Sequence, residues 1–300
     1  VIRRPAGDGG GAIHETAMPP DEARMAPGAN PTPPGLDAVV VMLRHGESTW
    51  VAEGRFQGRG DPPLSELGLR QAAAAAERIA RADRHPALPV PADAPLEIVH
   101  SPLSRAAQTA AQVESALAAG WRGGPGLSVP RRADPAFHEI AQGEWEGLPA
   151  TEIAARWPSE LASWRADPLS AWAPGGEPIS EVDRRVRTGL AALLGRLAHG
   201  REPGTTNRSG VLGYAAGERP MPWSILVAHD GVFKVTLLAM LDLPLARFWS
   251  FPFALCGLTV VEFVGGRARL RAHNLVDHLA ALESEERLAL EAARRASGAL

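Results

Sequence analysis

The chain has 300 residues, 45% of them hydrophobic, and a formal net charge of −3, enough apolar material for a sizeable core and too little positive charge for a nucleic-acid partner. Its single cysteine, Cys256, excludes an intramolecular disulfide and a thiolate metal cluster, and its place in the apolar run "FALCGLTVVEF" marks a buried, inert thiol. No apolar stretch is long enough to span a membrane and no signal-peptide core stands near residue 1, so the expectation is a cytoplasmic enzyme.

Residues 1–37, with "PAGDGGGA" and "APGANPTPPG", carry neither helical nor strand periodicity and are expected to form a disordered tail. "AVVVML" (38–43) is a continuous apolar run, the pattern of a strand buried on both faces. Ser65 is a plausible N-cap for a helix over 66–82, with Leu69, Ala72, Ala76, Ile79 and Ala80 on one face. "LEIV" (96–99) predicts the next strand, and Ser101 with Pro102 predicts the opening of a helix running to about Leu117. The tryptophan-rich segment 135–175 predicts a helical lid, its tryptophans read as packing, and an amphipathic helix follows over 177–198. The glycine-rich excursion 199–222 reads as a surface loop. "SILVA" (224–228) is a further apolar strand, followed by a helix through "GVFKVTLLAML". "LTVVEFV" and "ARLRAHN" predict a hairpin around Gly265–Gly266, and 281–300 has helical character. Alternating strands and helices predict an α/β three-layer sandwich with a mainly parallel central sheet, the domain spanning 38–280.

Ligands of open α/β sheets bind beyond the carboxyl ends of the strands. Three strand ends here carry groups suited to an anion: Arg44–His45 after 38–43, Arg105 near the helix start after 96–99, and His229 directly after 224–228. Two guanidiniums, two imidazoles and a helix N-terminus can converge on one dianion, and the planar guanidinium fork suits phosphate oxygens. Each group alone also has a structural reading; their joint occurrence is what points to phosphate.

The motifs extend this pattern. "LRHGEST" (43–49), "GRFQGRGDPPLSELGLRQA" (54–72), "SPLSRAAQTA" (101–110), "FHEIAQGEWEGL" (137–148), "PGGEP" (174–178) and "VAHDGV" (227–232) stand in the order found in the histidine phosphatase superfamily, the phosphoglycerate mutase-like family. The resemblance covers about 38–280 and implies that family's fold and a metal-independent phosphoric monoester hydrolase. It implies that His45 is the nucleophile, forming a phosphohistidine, with its other ring nitrogen donating to a backbone carbonyl. Arg44, Arg105 and His229 would clamp the phosphoryl oxygens, and Glu139 would be general acid and then base. Gln57 and Gly58 match positions that contact substrate beyond the phosphate, and Gly46 suits a close backbone approach. No metal and no cofactor are implied, and the remaining histidines show no metal-ligand spacing. The partner implied is a small phosphorylated substrate; the family includes dimers, so a homodimer stands beside a monomer as an expectation.

Departures from the pattern are Val51, where many members carry Asn, and His100, where a small hydroxyl residue is usual. The stretch "IAQGEWEGL" resembles the phosphatase branch and lacks the tyrosine of glycolytic mutases, so hydrolysis is expected over two alternatives, mutase-type phosphoryl transfer and a non-catalytic phosphate-binding pseudoenzyme. "HNLVDHL" (273–279) resembles an ending found in α-ribazole-phosphate and related phosphatases, and the identity of the substrate stays open.

Overall fold

The computed structural model describes residues 28–122, 124–200, 221–282 and 284. β1 (Ala38–Arg44) is apolar as far as Leu43 because both of its faces are covered. Ala38, Val40 and Met42 join one core cluster, whereas Val39, Val41 and Leu43 join a second cluster on the opposite face. That split defines three layers. After α1 (Thr49–Ala52) comes α2 (Glu66–Ala80), then β2 (Ile98–His100), α3 (Ser104–Gly120) and β3 (Arg131–Ala133). α4 (Ala150–Arg156) and α5 (Pro158–Ala166) precede the long α6 (Ile179–His199). β4 (Trp223–Ala228), α7 (Asp230–Met240), β5 (Leu258–Val264) and β6 (Arg267–Leu275) complete the order.

The sheet runs β3-β2-β4-β1-β5-β6. β1, β2, β3 and β4 are mutually parallel, and β5 and β6 add an antiparallel edge. The hairpin turn falls at Gly265 (φ 59°) and Gly266 (φ 79°), a left-handed pair that glycine adopts without steric cost. α2 and α3 cover one face through Ala72, Ala76, Ile79, Val113 and Leu117. α6 and α7 cover the other, where Leu190, Leu193, Leu194 and Leu197 are wholly buried. Each of those leucines stabilises the fold by about 1.5–3 kcal/mol of apolar transfer.

Several expectations need correction. Of the tail expected over 1–37, residues 28–37 pack on the fold: Leu36 enters the core, its carbonyl accepts from Gly266 N, and Asp37 Oδ1 accepts from Gly265 N. The first 27 residues lie outside the described set, as do 201–220 of the expected surface loop and nearly all of 281–300. Leu69 does not lie on the buried face of α2; it is 41% exposed, and Gly68 and Ala75 take part in that face instead. α3 starts at Ser104, not Ser101, because Ser101 is still extended along the sheet, with Ser101 N donating to Val227 O. β3 carries no apolar alternation, all three residues being exposed, and was not expected from the sequence. The 135–175 segment holds α4, α5 and two single 3-10 turns around a satellite core of Trp145, Ile153, Leu161 and Ala173. Trp145 and Trp164 meet edge to face there, as packing, while Trp172 is 42% exposed. Among the described residues no helix is long and apolar enough to cross a membrane.

Candidate active site

Sheet register assembles the site. Arg44 pairs with Ala228 across the β1–β4 ladder, and His100 pairs with Val227 across β2–β4. Three parallel strands therefore end at one level, and the next residue of each, His45, Ser101 and His229, enters the same crevice. His45 N donates to Ala228 O at 3.0 Å, which fixes the nucleophile candidate beside His229. Their ring centroids lie 4.9 Å apart.

The segment after His45 is strapped on both sides. Gly46 N donates to Thr109 Oγ1 of α3, and Glu47 N donates to Gln71 Oε1 of α2. Ser65 caps α2 by accepting from Gly68 N, as expected, and also donates to Glu47 Oε1 at 2.6 Å. Gly46 does make a close approach, to backbone: a Cβ there would lie 2.4 Å from Gly68 O. That contact belongs to the seating of β1's exit on α2.

His45 Nδ1 lies 2.6 Å from Gly46 O and donates to it. The proton is thereby held on Nδ1, and the Nε2 lone pair is left free. Burial holds the His45 pKa well below its usual value, with Arg105 and Arg44 adding to the effect and the Gly46 hydrogen bond opposing it. A neutral imidazole with one nitrogen tied down is the form a nucleophile requires. His229 is lowered likewise, first by burial, then by Arg105, His45 and Arg44. Leu103 N donates to Ser101 Oγ, and the same hydroxyl lies 2.8 Å from His229 Nε2.

Arg105, in the first turn of α3, is fully buried. Its Nη1 donates to Gly60 O at 2.8 Å and its Nη2 to Gly58 O at 2.9 Å. Burial lowers its pKa to about 10, against the opposing pull of Glu139, Asp61 and Glu146. Arg44 Nη1 donates to Phe253 O. Arg44 Nε, Arg105 Nε and His229 Nδ1 are buried without a hydrogen-bond partner. Two orphaned guanidinium N–H donors and an unpartnered ring nitrogen beside a buried imidazole are suited to an oxyanion.

Glu139 sits at the N-terminus of α7, where Oε2 accepts from Gly231 N at 3.1 Å and Oε1 from Val232 N and Ile140 N at 2.9 Å. The helix dipole there stabilises the charge that Glu139 carries after giving up a proton. Arg185 of α6 holds this segment from behind, donating to Ala136 O, His138 O and Glu139 O while pairing with Glu177. Gln57 Oε1 accepts from Ser48 Oγ, and Gly58 contributes its carbonyl to Arg105. Gly58 is buried, and a Cβ there would lie 2.1 Å from Glu146 Oε1, so its visible part is to support Arg105. Val51 stands in α1, where its N–H donates to Ser48 Oγ. His100 is buried with Nδ1 donating to Ser101 O, and burial is the main cause of its lowered pKa. Among the described residues no group of three or more His, Cys, Asp or Glu side chains is placed to hold a metal ion.

The family model for the histidine phosphatase superfamily (branch 1) matches residues 40–202 and 210–276. The chain belongs to the histidine phosphatase superfamily. Glucosyl-3-phosphoglycerate phosphatase of Mycobacterium tuberculosis is 34% identical to this histidine phosphatase over 210 residues, 70% of this chain and 78% of that protein. A probable phosphoglycerate mutase, GpmB, of Yersinia pestis is 31% identical over 228 residues, 75% of this chain and 84% of that one. The solved mycobacterial glucosyl-3-phosphoglycerate phosphatase with VO3 superposes with a TM-score of 0.60 at 31% identity, covering 80% of this chain and all of that one (100%). An α-ribazole-5'-P phosphatase structure from Escherichia coli, at 20% identity and a TM-score of 0.60, shares the fold. The glucosyl-3-phosphoglycerate phosphatases among these relatives agree with the phosphatase branch expected from "IAQGEWEGL", and the chain is a phosphatase.

Sequence reasoning missed Ser101, Thr109, Glu177 and Arg185 as members of the site's framework. Ser101 and Thr109 lay inside the quoted "SPLSRAAQTA" block and Glu177 inside "PGGEP", so a signal existed; Arg185 carried none beyond its place in an amphipathic helix.

Proposed function

We propose that the protein hydrolyses phosphomonoesters through a phosphohistidine on His45. The observation that carries this reading is the trio of partnerless buried nitrogens, Arg44 Nε, Arg105 Nε and His229 Nδ1, gathered about an imidazole whose Nδ1 is already committed to Gly46 O. His45 Nε2 attacks phosphorus while the P–O bond to the leaving alcohol breaks, and Glu139 gives that oxygen a proton. The arginines and His229 stabilise the charge on the equatorial oxygens. Water then attacks the phosphohistidine as Glu139 takes its proton, releasing phosphate and the free imidazole.

The proposed substrate class is a small phosphorylated metabolite, and the similarity to glucosyl-3-phosphoglycerate phosphatases puts glycosylated phosphoglycerates first. The test is a panel of p-nitrophenyl phosphate, 3-phosphoglycerate, glucosyl-3-phosphoglycerate and phosphoserine, assayed for kcat/KM with and without EDTA. Turnover insensitive to EDTA is expected. Phosphate binding without turnover would favour a binding protein, and phosphoryl transfer between phosphoglycerates without phosphate release would favour a mutase.

A further inference from the structure

The 251–257 turn stands against the phosphate crevice, and three contacts couple it to the end of β1. Phe253 O accepts from Arg44 Nη1, Gly257 O accepts from Arg44 N at 3.4 Å, and Cys256 N donates to His45 O at 3.3 Å. The turn contains little regular structure of its own, and Cys256 adopts a left-handed φ of 53°, a conformation a side chain with Cβ holds only under outside constraint.

That constraint comes from the "HNLVDHL" segment at 273–279. Asn274 Oδ1 accepts from Ala254 N at 2.7 Å, while Asn274 N donates to Thr259 Oγ1 at 3.1 Å. Asn274 is itself left-handed, φ 54°, which asparagine tolerates better than most residues. Gly257 leaves room for this amide, since a Cβ there would lie 2.4 Å from Asn274 Oδ1. His278 Nε2 lies 3.1 Å from Cys256 O and donates to it. The His273 ring meets Phe253 and Phe251 edge to face at 5.1 and 5.6 Å. All three polar side chains His273, Asn274 and His278 therefore grip the turn that seats Arg44.

We propose that Asn274, seconded by His278, is a positioning residue for phosphate binding that acts through the Phe253 carbonyl on the Arg44 guanidinium. The segment singled out as a hint of substrate identity is then a buckle on the phosphate cradle. Nothing places Asn274 against the reacting atoms, so it is not a catalytic residue. The inference rests on the phosphatase reading for its kinetic readout but not for its binding readout.

The test compares Asn274→Gly, which keeps the left-handed backbone and loses the acceptor, with Asn274→Asp, which keeps both. Affinity for inorganic phosphate and orthovanadate is measured by calorimetry, beside kcat/KM for p-nitrophenyl phosphate. Losing a hydrogen bond that holds a charged group in register is expected to weaken oxyanion affinity about tenfold for Asn274→Gly, with Asn274→Asp within about threefold of wild type. In an Arg44→Ala background the same Asn274→Gly change should cost less than about threefold, because the residue it acts through is gone. Undiminished phosphate affinity in Asn274→Gly, or an equal loss with and without Arg44, would overturn the proposal. Should Asn274→Gly not fold, His278→Phe carries the same comparison, with the donation to Cys256 O lost at similar bulk. A wild-type protein that binds phosphate without hydrolysing any ester would refute the phosphatase reading and leave these affinities to decide this one.

Discussion

Gly58→Ala separates a positioning role for this glycine from the substrate contact that the family resemblance implies. A Cβ at Gly58 would lie 2.1 Å from Glu146 Oε1 and 2.7 Å from Gln142 N, where ordinary contact begins at 3.4 Å. The misfit on the carboxylate is therefore about 1.3 Å, comparable with displacements that cost an active site about 10²-fold. Glu146 cannot simply swing away. Its Oε1 accepts from Arg59 N and Gln142 N, both at 2.9 Å, and its Oε2 from Gly60 N at 2.7 Å. Asp61 pins the far side of the loop by accepting from Ser104 N and Ser104 Oγ. The strain goes instead into the Gly58 carbonyl, and with it into Arg105, whose Nη2 rests on that oxygen at 2.9 Å. The expected result is a loss of about 10²-fold in kcat/KM for p-nitrophenyl phosphate, about 2.7 kcal/mol of transition-state stabilisation. Inhibition by orthovanadate should weaken in parallel, while overpacking lowers stability by about 1–3 kcal/mol. Steady-state kinetics with vanadate inhibition and thermal unfolding measure all three. Kinetics within twofold of wild type, or a raised KM with vanadate affinity intact, would refute the reasoning and return Gly58 to the substrate.

Acid should destabilise the unliganded protein. His45 and His229 have pKa values held well below 6.5 chiefly by burial, so below 6.5 the unfolded chain binds more protons than the folded one. Their contribution is whole above about pH 6.5 and is lost as pH falls beneath it, by at most about 1.4 kcal/mol per pH unit for each histidine. Urea unfolding at about pH 7.5 and about pH 5.5 measures the slope, which phosphate should reduce; an unchanged slope in a His45→Asn, His229→Asn double variant would contradict the assignment. Glu139→Gln should slow cleavage of alkyl phosphates by about 10²–10⁴-fold and the p-nitrophenolate burst far less, since that leaving group needs little protonation. Equal losses in single-turnover measurements would remove Glu139 from the acid step.

What the sequence made legible follows from how local each signal is. β1 could be read because six consecutive residues are apolar up to Arg44 and both faces are covered, and the Gly265–Gly266 turn because two left-handed positions demand glycine. The pairing of Arg44 with Ala228 was not itself readable, yet the rule that parallel strands end at one edge was enough to gather His45 and His229. β3 escaped because three exposed residues at a sheet edge carry no hydrophobic period. Leu69 misled because one exposed apolar residue on a helix looks like any other in a helical pattern. Ser101 followed by proline has the form of a helix cap, but its hydroxyl is engaged by His229, a partner 128 residues away. The part played by "HNLVDHL" was invisible for the same reason: its contacts with Ala254 and Cys256 exist only once β5 and β6 have paired.

The central claim concerns one atom, Nε2 of His45, and acid-sparing mass spectrometry of protein quenched during turnover tests it most directly. With Nδ1 held by Gly46 O at 2.6 Å, the phosphoryl group should be found on His45 and on its Nε2, and His45→Ala should fold but neither label nor turn over. Phosphate on Nδ1, phosphate on another residue, or turnover surviving His45→Ala would contradict the account.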